Sequence, residues 1–237
     1  MTSGDREKGT DMGHDDTDAR PTVKIASPAE SRDTLALRAE SLPDAERQEA
    51  SRYLRAEDRD RFLLGRLILR DLIHTSTGLP VSAIVLKRDS HGRPFLPADP
   101  DLDVNLSHSG DRVAAAVGRG LRVGIDVEQH RTGLDIVAIG RQVFTPYERA
   151  VIAAAGSGAL AAFFTQWTLK EALIKALGRG FLDDPRRIEI RREKDGIFQP
   201  HFVGSGPDDL GHRWRLQVLE CGDHHSGALA FRARPSP

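Results

Sequence analysis

The 237-residue sequence predicts an α+β fold, with helices and antiparallel strands in separate runs. Three observations carry that prediction. Residues 121–128 (LRVGIDVE) alternate between apolar positions and small or charged ones, the period of a strand with one apolar face. Residues 159–178 repeat at helical spacing, placing Leu160, Phe163, Trp167, Ile174 and Leu177 in one stripe. Around these segments the chain reads as helices, a strand meander, helices again, and a second strand meander.

The first twenty residues are polar and charged without an apolar run, and read as a disordered leader rather than a signal peptide. Thr22–Ala26 is a short strand. Ser41 and Pro43 begin a helix whose pattern continues through Tyr53 and Leu54, with Pro in the first turn. Asp58 to His74 is a second helix with Phe62, Leu63, Ile68, Leu69, Leu72 and Ile73 on its apolar side, ended by turn chemistry at 77–80. Arg47, Arg52, Arg55, Arg59, Arg61, Arg66 and Arg70 make this region basic, and solvated helix faces explain most of them. The 91–96 stretch, His-Gly-Arg-Pro-Phe-Leu, is a Gly/Pro loop before a strand. Residues 103–110, 113–117 and the 121–128 strand follow as an antiparallel meander with a glycine turn at 118–120. Thr145-Pro-Tyr-Glu148 is a capping box that starts the helix before 159–178. Gly178-Arg-Gly180 closes the latter helix. Strands are expected at 187–191, 198–203, 214–219 and 228–231.

Composition narrows the function. Net charge is −1, so no general attraction to nucleic acid or membrane is implied. No stretch is apolar enough to cross a bilayer. Cys221 is the only cysteine, which excludes an internal disulfide and a multi-cysteine zinc site. Gly156-x-Gly158 and Gly204-x-Gly206 lack the context of a nucleotide fingerprint and read as loops. These features fit a soluble, cytoplasmic protein.

Two segments carry the chemistry. Asp126 and Glu128 lie on the same side of the 121–128 strand, roughly 6–7 Å apart at the backbone given about 3.3 Å of rise per residue. They can converge on one hard cation such as Mg²⁺, which takes oxygen ligands and is commonly completed by substrate phosphates; an ordinary solvated strand face has the same pattern. Glu171 and Lys170 sit at the edges of the apolar stripe, where an unpaired charge is costly. Glu171 is either a third metal ligand or a surface partner of Lys175, four residues on. Only six of thirty-four basic residues are lysine, and two of them, Lys170 and Lys175, fall in this stretch.

Asn-Leu-Ser-His-Ser at 105–109, Gly-Ile-Asp-Val-Glu at 124–128, Phe-Thr-Pro-Tyr-Glu at 144–148 and Trp-Thr-Leu-Lys-Glu-Ala at 167–172, in this order and spacing, resemble the 4′-phosphopantetheinyl transferases of the larger, surfactin-synthetase-activating type. The resemblance runs from about Pro43 to Leu182. It implies two similar α+β halves related by a pseudo-twofold axis, each a small antiparallel sheet with packed helices, spanning 21–120 and 121–237 after the leader (1–20). It also implies transfer of 4′-phosphopantetheine from coenzyme A to a serine of an apo acyl or peptidyl carrier protein in fatty acid, polyketide or nonribosomal peptide biosynthesis, as a monomer. Asp126, Glu128 and Glu171 would hold Mg²⁺, with Mn²⁺ a substitute. Glu171 and Lys175 would be catalytic. Arg61, Arg93, Ser107, His108, Lys170 and Lys175 would contact coenzyme A, Arg93 replacing the family's lysine. Two other classes share parts of the pattern: a coenzyme A-binding relative that does not transfer, and an unrelated Mg²⁺-dependent phosphohydrolase.

Overall fold

Period-two and period-3.6 patterns both become the elements they encode, and the other elements assemble on them. The computed structural model describes residues 19–178, 184–202 and 214–234. The leader up to Asp18, the glycine at 180, the strand end at 203 and the 204–206 loop lie outside these residues. In order come β1 (Thr22–Ala26), α1 (Arg32–Ala39), α2 (Asp44–Ser51), α3 (Ala56–Thr77), β2 (Lys87–Arg88), β3 (Pro94–Phe95), β4 (Leu102–Ser109), β5 (Arg112–Arg119) and β6 (Leu121–Gln129). Then follow α4 (Ile136–Val143), α5 (Pro146–Ala154), α6 (Ala159–Leu177), β7 (Ile188–Arg192), β8 (Phe198–Phe202), β9 (Arg215–Leu219) and β10 (His225–Ala233). The fold is α+β, as the order of patterns predicts.

Two antiparallel sheets organise the chain, β1-β5-β4 and β6-β10-β9-β8-β7. They repeat one topology. The opening strand (β1 or β6) pairs with the closing strand (β5 or β10), which pairs with the strand before it (β4 or β9). Each half also lays one long helix on its sheet, α3 or α6. Both helices stop at a glycine in the left-handed region, Gly78 at φ 73° and Gly178 at φ 69°, where a side chain would be strained.

The single meander expected from 103 through 128 is corrected at Gly120. β4 and β5 form the hairpin, but β6 leaves it and pairs with β10. The turn at Gly120 has φ 65°. On its other edge β6 donates backbone N–H groups to side chains of β4. Val123 donates to Asp103 Oδ2 at 2.8 Å and Ile125 to Asn105 Oδ1 at 2.8 Å. Val127 donates to Ser107 Oγ at 3.3 Å and Gln129 to Ser109 Oγ at 3.2 Å. Short polar side chains thus satisfy the strand edge and join the two halves.

The sheets pack on one another through Ala114 and Ala116 of β5, Val123, Ile125 and Val127 of β6, and Leu229 and Phe231 of β10. Leu64, Leu67, Ile68 and Ile73 of α3 cover the outer face of the first sheet. Leu169, Ala172, Leu173 and Ala176 of α6 cover the second. At Gly124 the approach is close: a Cβ would stand 2.0 Å from the Ala172 carbonyl oxygen and 2.5 Å from the Ala176 nitrogen. The glycine of Gly-Ile-Asp-Val-Glu is thereby explained by packing. α6 is buried beyond the predicted stripe, with Gln166, Thr168 and Lys170 also inside. The capping box forms as expected: Thr145 caps α5 and Glu148 returns the bond to the Thr145 amide. Among the described residues no single helix is long and apolar enough to cross a membrane.

Candidate functional site

Because α6 crosses the polar side of β6, Glu171 and Lys175, one helical turn apart, face the strand that carries Asp126 and Glu128. These four line a cavity of about 520 Å³ with Ser107 and His108 of β4. The far wall comes from the first half: Phe62 and Arg66 of α3, Tyr53, Arg88 and Pro94. A second space of about 260 Å³ shares Glu171 and Lys175 and adds Arg93 and Asn105. The site therefore lies between the halves.

At its centre is Lys175. Its Nζ donates to Asp126 Oδ1 at 2.7 Å, to Ser107 Oγ at 3.0 Å and to the Ile125 carbonyl at 3.3 Å. Among the described residues its ion pair is with Asp126 across the cleft, not with Glu171 one turn back. Asp126 is buried, and its Oδ2 has no hydrogen-bond partner among the described residues. Glu128 Oε2 accepts the Ser109 hydroxyl at 2.6 Å. Burial pushes the Glu128 carboxyl above its ordinary range, and the charge of Asp126 adds to this; the Ser109 hydrogen bond works against it. Burial, then the charge of Asp126, pushes Glu171 up to about 7. Three carboxylates that repel one another around a buried, orphaned oxygen fit a hard divalent cation in donor type. As the side chains stand, no three described His, Cys, Asp or Glu residues form a ligand cluster; the cation on Asp126 is the Lys175 ammonium.

His108 points to the cavity and is exposed there. Partial loss of water around its ring, with the charges of Arg61 and Lys175, holds its pKa below the ordinary histidine value. Arg61 stands near it at the turn between β4 and β5, donating to the Gly110 carbonyl at 2.5 Å and to Asp58.

Three expected coenzyme contacts are placed differently by the structure. Lys170 points away from Glu171 into the core, where Nζ donates to Glu148 Oε2 at 2.8 Å and to the carbonyls of Val143, Pro185 and Ile188 at 2.7–3.1 Å. Adjacent helix residues project about 100° apart, and Lys170 does not line the large cavity that Glu171 faces. Burial lowers the Lys170 pKa, opposed by Glu148. Arg93 is a partly buried strut: it donates to Asp103 Oδ2 at 2.8 Å, to the Val123 carbonyl at 2.6 Å, and to the Lys175 carbonyl. Ser107 lines the cavity, yet its hydroxyl donates to Asp126 Oδ1 at 2.9 Å and accepts from Val127 and Lys175, which uses both lone pairs and its proton. As placed, the donors of Lys170 and Ser107 are engaged within the protein, while Arg93 keeps a buried Nε without a hydrogen-bond partner among the described residues.

Arg66 and Arg88 went unselected among the many arginines. Arg66 is 6% exposed, 3.8 Å from Glu46 and 4.9 Å from the Phe62 ring centroid, with Nε lacking a hydrogen-bond partner among the described residues. The signal was present: Arg66 sits four residues after Phe62, on the core-facing side of the helix.

Comparison with known proteins matches both halves of the chain. Residues 122–230 match the sequence profile of the 4′-phosphopantetheinyl transferase superfamily, and residues 27–119 match that of the 4′-phosphopantetheinyl transferase N-terminal region. The chain is 34% identical over 151 residues to the 4′-phosphopantetheinyl transferase psf-1 of Bacillus pumilus, covering 63% of this chain and 64% of that protein. It is 30% identical over 151 residues to the 4′-phosphopantetheinyl transferase of Bacillus subtilis, covering 63% and 66%. The matches thus span just under two thirds of these bacterial relatives. The L-aminoadipate-semialdehyde dehydrogenase-phosphopantetheinyl transferase of Mus musculus is 30% identical over 216 residues, covering 84% of this chain and 69% of that protein. With both halves matched, the chain belongs to the 4′-phosphopantetheinyl transferase superfamily.

Proposed function

We propose that this protein transfers the 4′-phosphopantetheine group of coenzyme A to a serine hydroxyl of an apo carrier protein. The observation that carries the reading is one cavity with Asp126, Glu128, Glu171 and Lys175 on one wall and arginines with aromatic rings on the other. A coenzyme with a pyrophosphate, a further phosphate and an adenine ring matches that division of charge and ring surface. One chain supplies both walls, which supports action as a monomer.

Asp126, Glu128 and Glu171 would hold Mg²⁺ or Mn²⁺. When bound, such an ion offsets negative charge on the pyrophosphate. In the transfer, the serine oxygen bonds to the phosphorus that carries pantetheine. The bond from that phosphorus to the bridging oxygen breaks, and 3′,5′-adenosine diphosphate leaves. Lys175 turns its ammonium from Asp126 toward the phosphates, and His108, Arg61, Arg66 and Arg88 add positive or donor groups. Glu171, or a water it orients, takes the serine proton. The cavity walls hold the two reactants in line.

The test is release of 3′,5′-adenosine diphosphate from coenzyme A, followed by chromatography with and without an apo carrier protein. The transferase reading expects release only with the carrier. Release without it would replace this reading by a phosphohydrolase; tight coenzyme A binding with no release would replace it by a silent binder.

A further inference from the structure

The Asn-Leu-Ser-His-Ser stretch holds a ladder of side chains with two kinds of rung. Asp103, Asn105, Ser107 and Ser109 of β4 each accept a backbone N–H from β6, always twenty residues further along the chain. The Asn105 rung ends on the backbone, and the Asp103 rung adds the strut Arg93 and, at 3.9 Å, Arg234. The two serine rungs continue. The Ser107 hydroxyl donates to Asp126 Oδ1 at 2.9 Å, and the Ser109 hydroxyl donates to Glu128 Oε2 at 2.6 Å.

A hydroxyl carries one proton and two lone pairs. Each β6 amide fixes one lone pair, which orients the hydroxyl and aims its proton at the neighbouring carboxylate. Val127 and Gln129 are the residues that follow Asp126 and Glu128, so each serine grips a carboxylate and the peptide just beyond it. One oxygen of each acid is tied down in this way. The other oxygen of Asp126, Oδ2, is left buried without a partner among the described residues. His108, between the two serines, lines the same cavity as Ser107 but takes no part in the ladder.

We propose that Ser107 and Ser109 are positioning residues that set the Asp126 and Glu128 carboxylates for a divalent cation. This rests on the reading of these acids as a metal site. Carboxylates gripped by outer donors bind metal with less reorganisation, and loss of such a partner typically costs about 10–100-fold in affinity.

The experiment compares the parent with Ser109→Ala, Ser109→Thr and Asn105→Ala. Mn²⁺ binding is measured by electron paramagnetic resonance without coenzyme A, beside thermal unfolding of each protein. Ser109→Ala is expected to weaken Mn²⁺ about tenfold, with a fall in melting temperature no larger than that of Asn105→Ala. Ser109→Thr, which keeps the hydroxyl, restores Mn²⁺ affinity. Asn105→Ala removes a rung that touches no acid, so it lowers the melting temperature and leaves Mn²⁺ affinity unchanged. Should that variant not fold, the alanine–threonine contrast at Ser109 decides alone. Parent-like Mn²⁺ affinity in Ser109→Ala would overturn the proposal. So would a loss of coenzyme A affinity in Ser109→Ala that is as large in chelator as in metal, because the effect of Ser109 would then not run through the metal. A parent that binds no Mn²⁺ would overturn the metal reading itself, a failure visible before any variant is made.

Discussion

Lys170→Met separates a structural lysine from a phosphate-binding one. The Lys170 side chain is 4% exposed and its partner Glu148 0%. Nζ joins four oxygens, from Glu148 and from the carbonyls of Val143, Pro185 and Ile188. Methionine fills much of the volume but leaves Glu148 buried with only its amide donors, Thr145 and Ile190. Removing one member of a buried ion pair costs about 3–5 kcal/mol, because the remaining charge stays in a dry site. For a chain of this size each kcal/mol moves the melting temperature by roughly 2–4 °C, so a fall of roughly 6–20 °C is expected. Differential scanning fluorimetry reads the melting temperature, and isothermal calorimetry at a temperature where the variant is folded reads coenzyme A affinity, expected to equal the parent's. A variant that melts within about 2 °C of the parent and has lost coenzyme A affinity would refute the structural role.

Gly124→Ala places a methyl 2.0 Å from the Ala172 carbonyl oxygen, so β6 and α6 must separate; overpacking of this kind costs about 1–3 kcal/mol or more, measurable by urea unfolding. Arg93→Lys keeps the charge but cannot span the Asp103 carboxylate and the Val123 and Lys175 carbonyls at once. A loss of about 1–2 kcal/mol is expected in the same assay, from one or two hydrogen bonds at about 1 kcal/mol each. Cys221 is buried, and burial pushes its thiol up to about 11. The folded protein is therefore expected to resist a thiol-specific reagent at pH 8 and to react once unfolded, because the thiolate is the reactive form; fast native reaction would contradict that burial.

Local pattern made much of this legible. The 121–128 alternation, the 145–148 capping box and the glycine stop at 178 depend on residues within one or two turns, and each formed as read. The partner of β6 was not legible, because strand pairing is settled by long-range packing: hairpin continuation and pairing with β10 satisfy the same alternation. Lys170 and Glu171 were read together because a helix buried on most sides offers no solvent face to tell neighbouring positions apart. α1 escaped notice because only Leu35 of its eight residues is buried, too few for a periodic stripe. Arg66 was hidden by abundance; an arginine beside Phe62 is informative only once the helix face is known to line a cavity.

The most direct test is the intact mass of an apo carrier protein after incubation with this protein, coenzyme A and Mg²⁺. Asp126→Ala and a chelator run beside it. The expected result is a gain of one phosphopantetheine with the parent, lost in both controls. No gain with folded parent protein, across carriers from fatty acid, polyketide and nonribosomal peptide pathways, would contradict the assignment of this cavity to transfer.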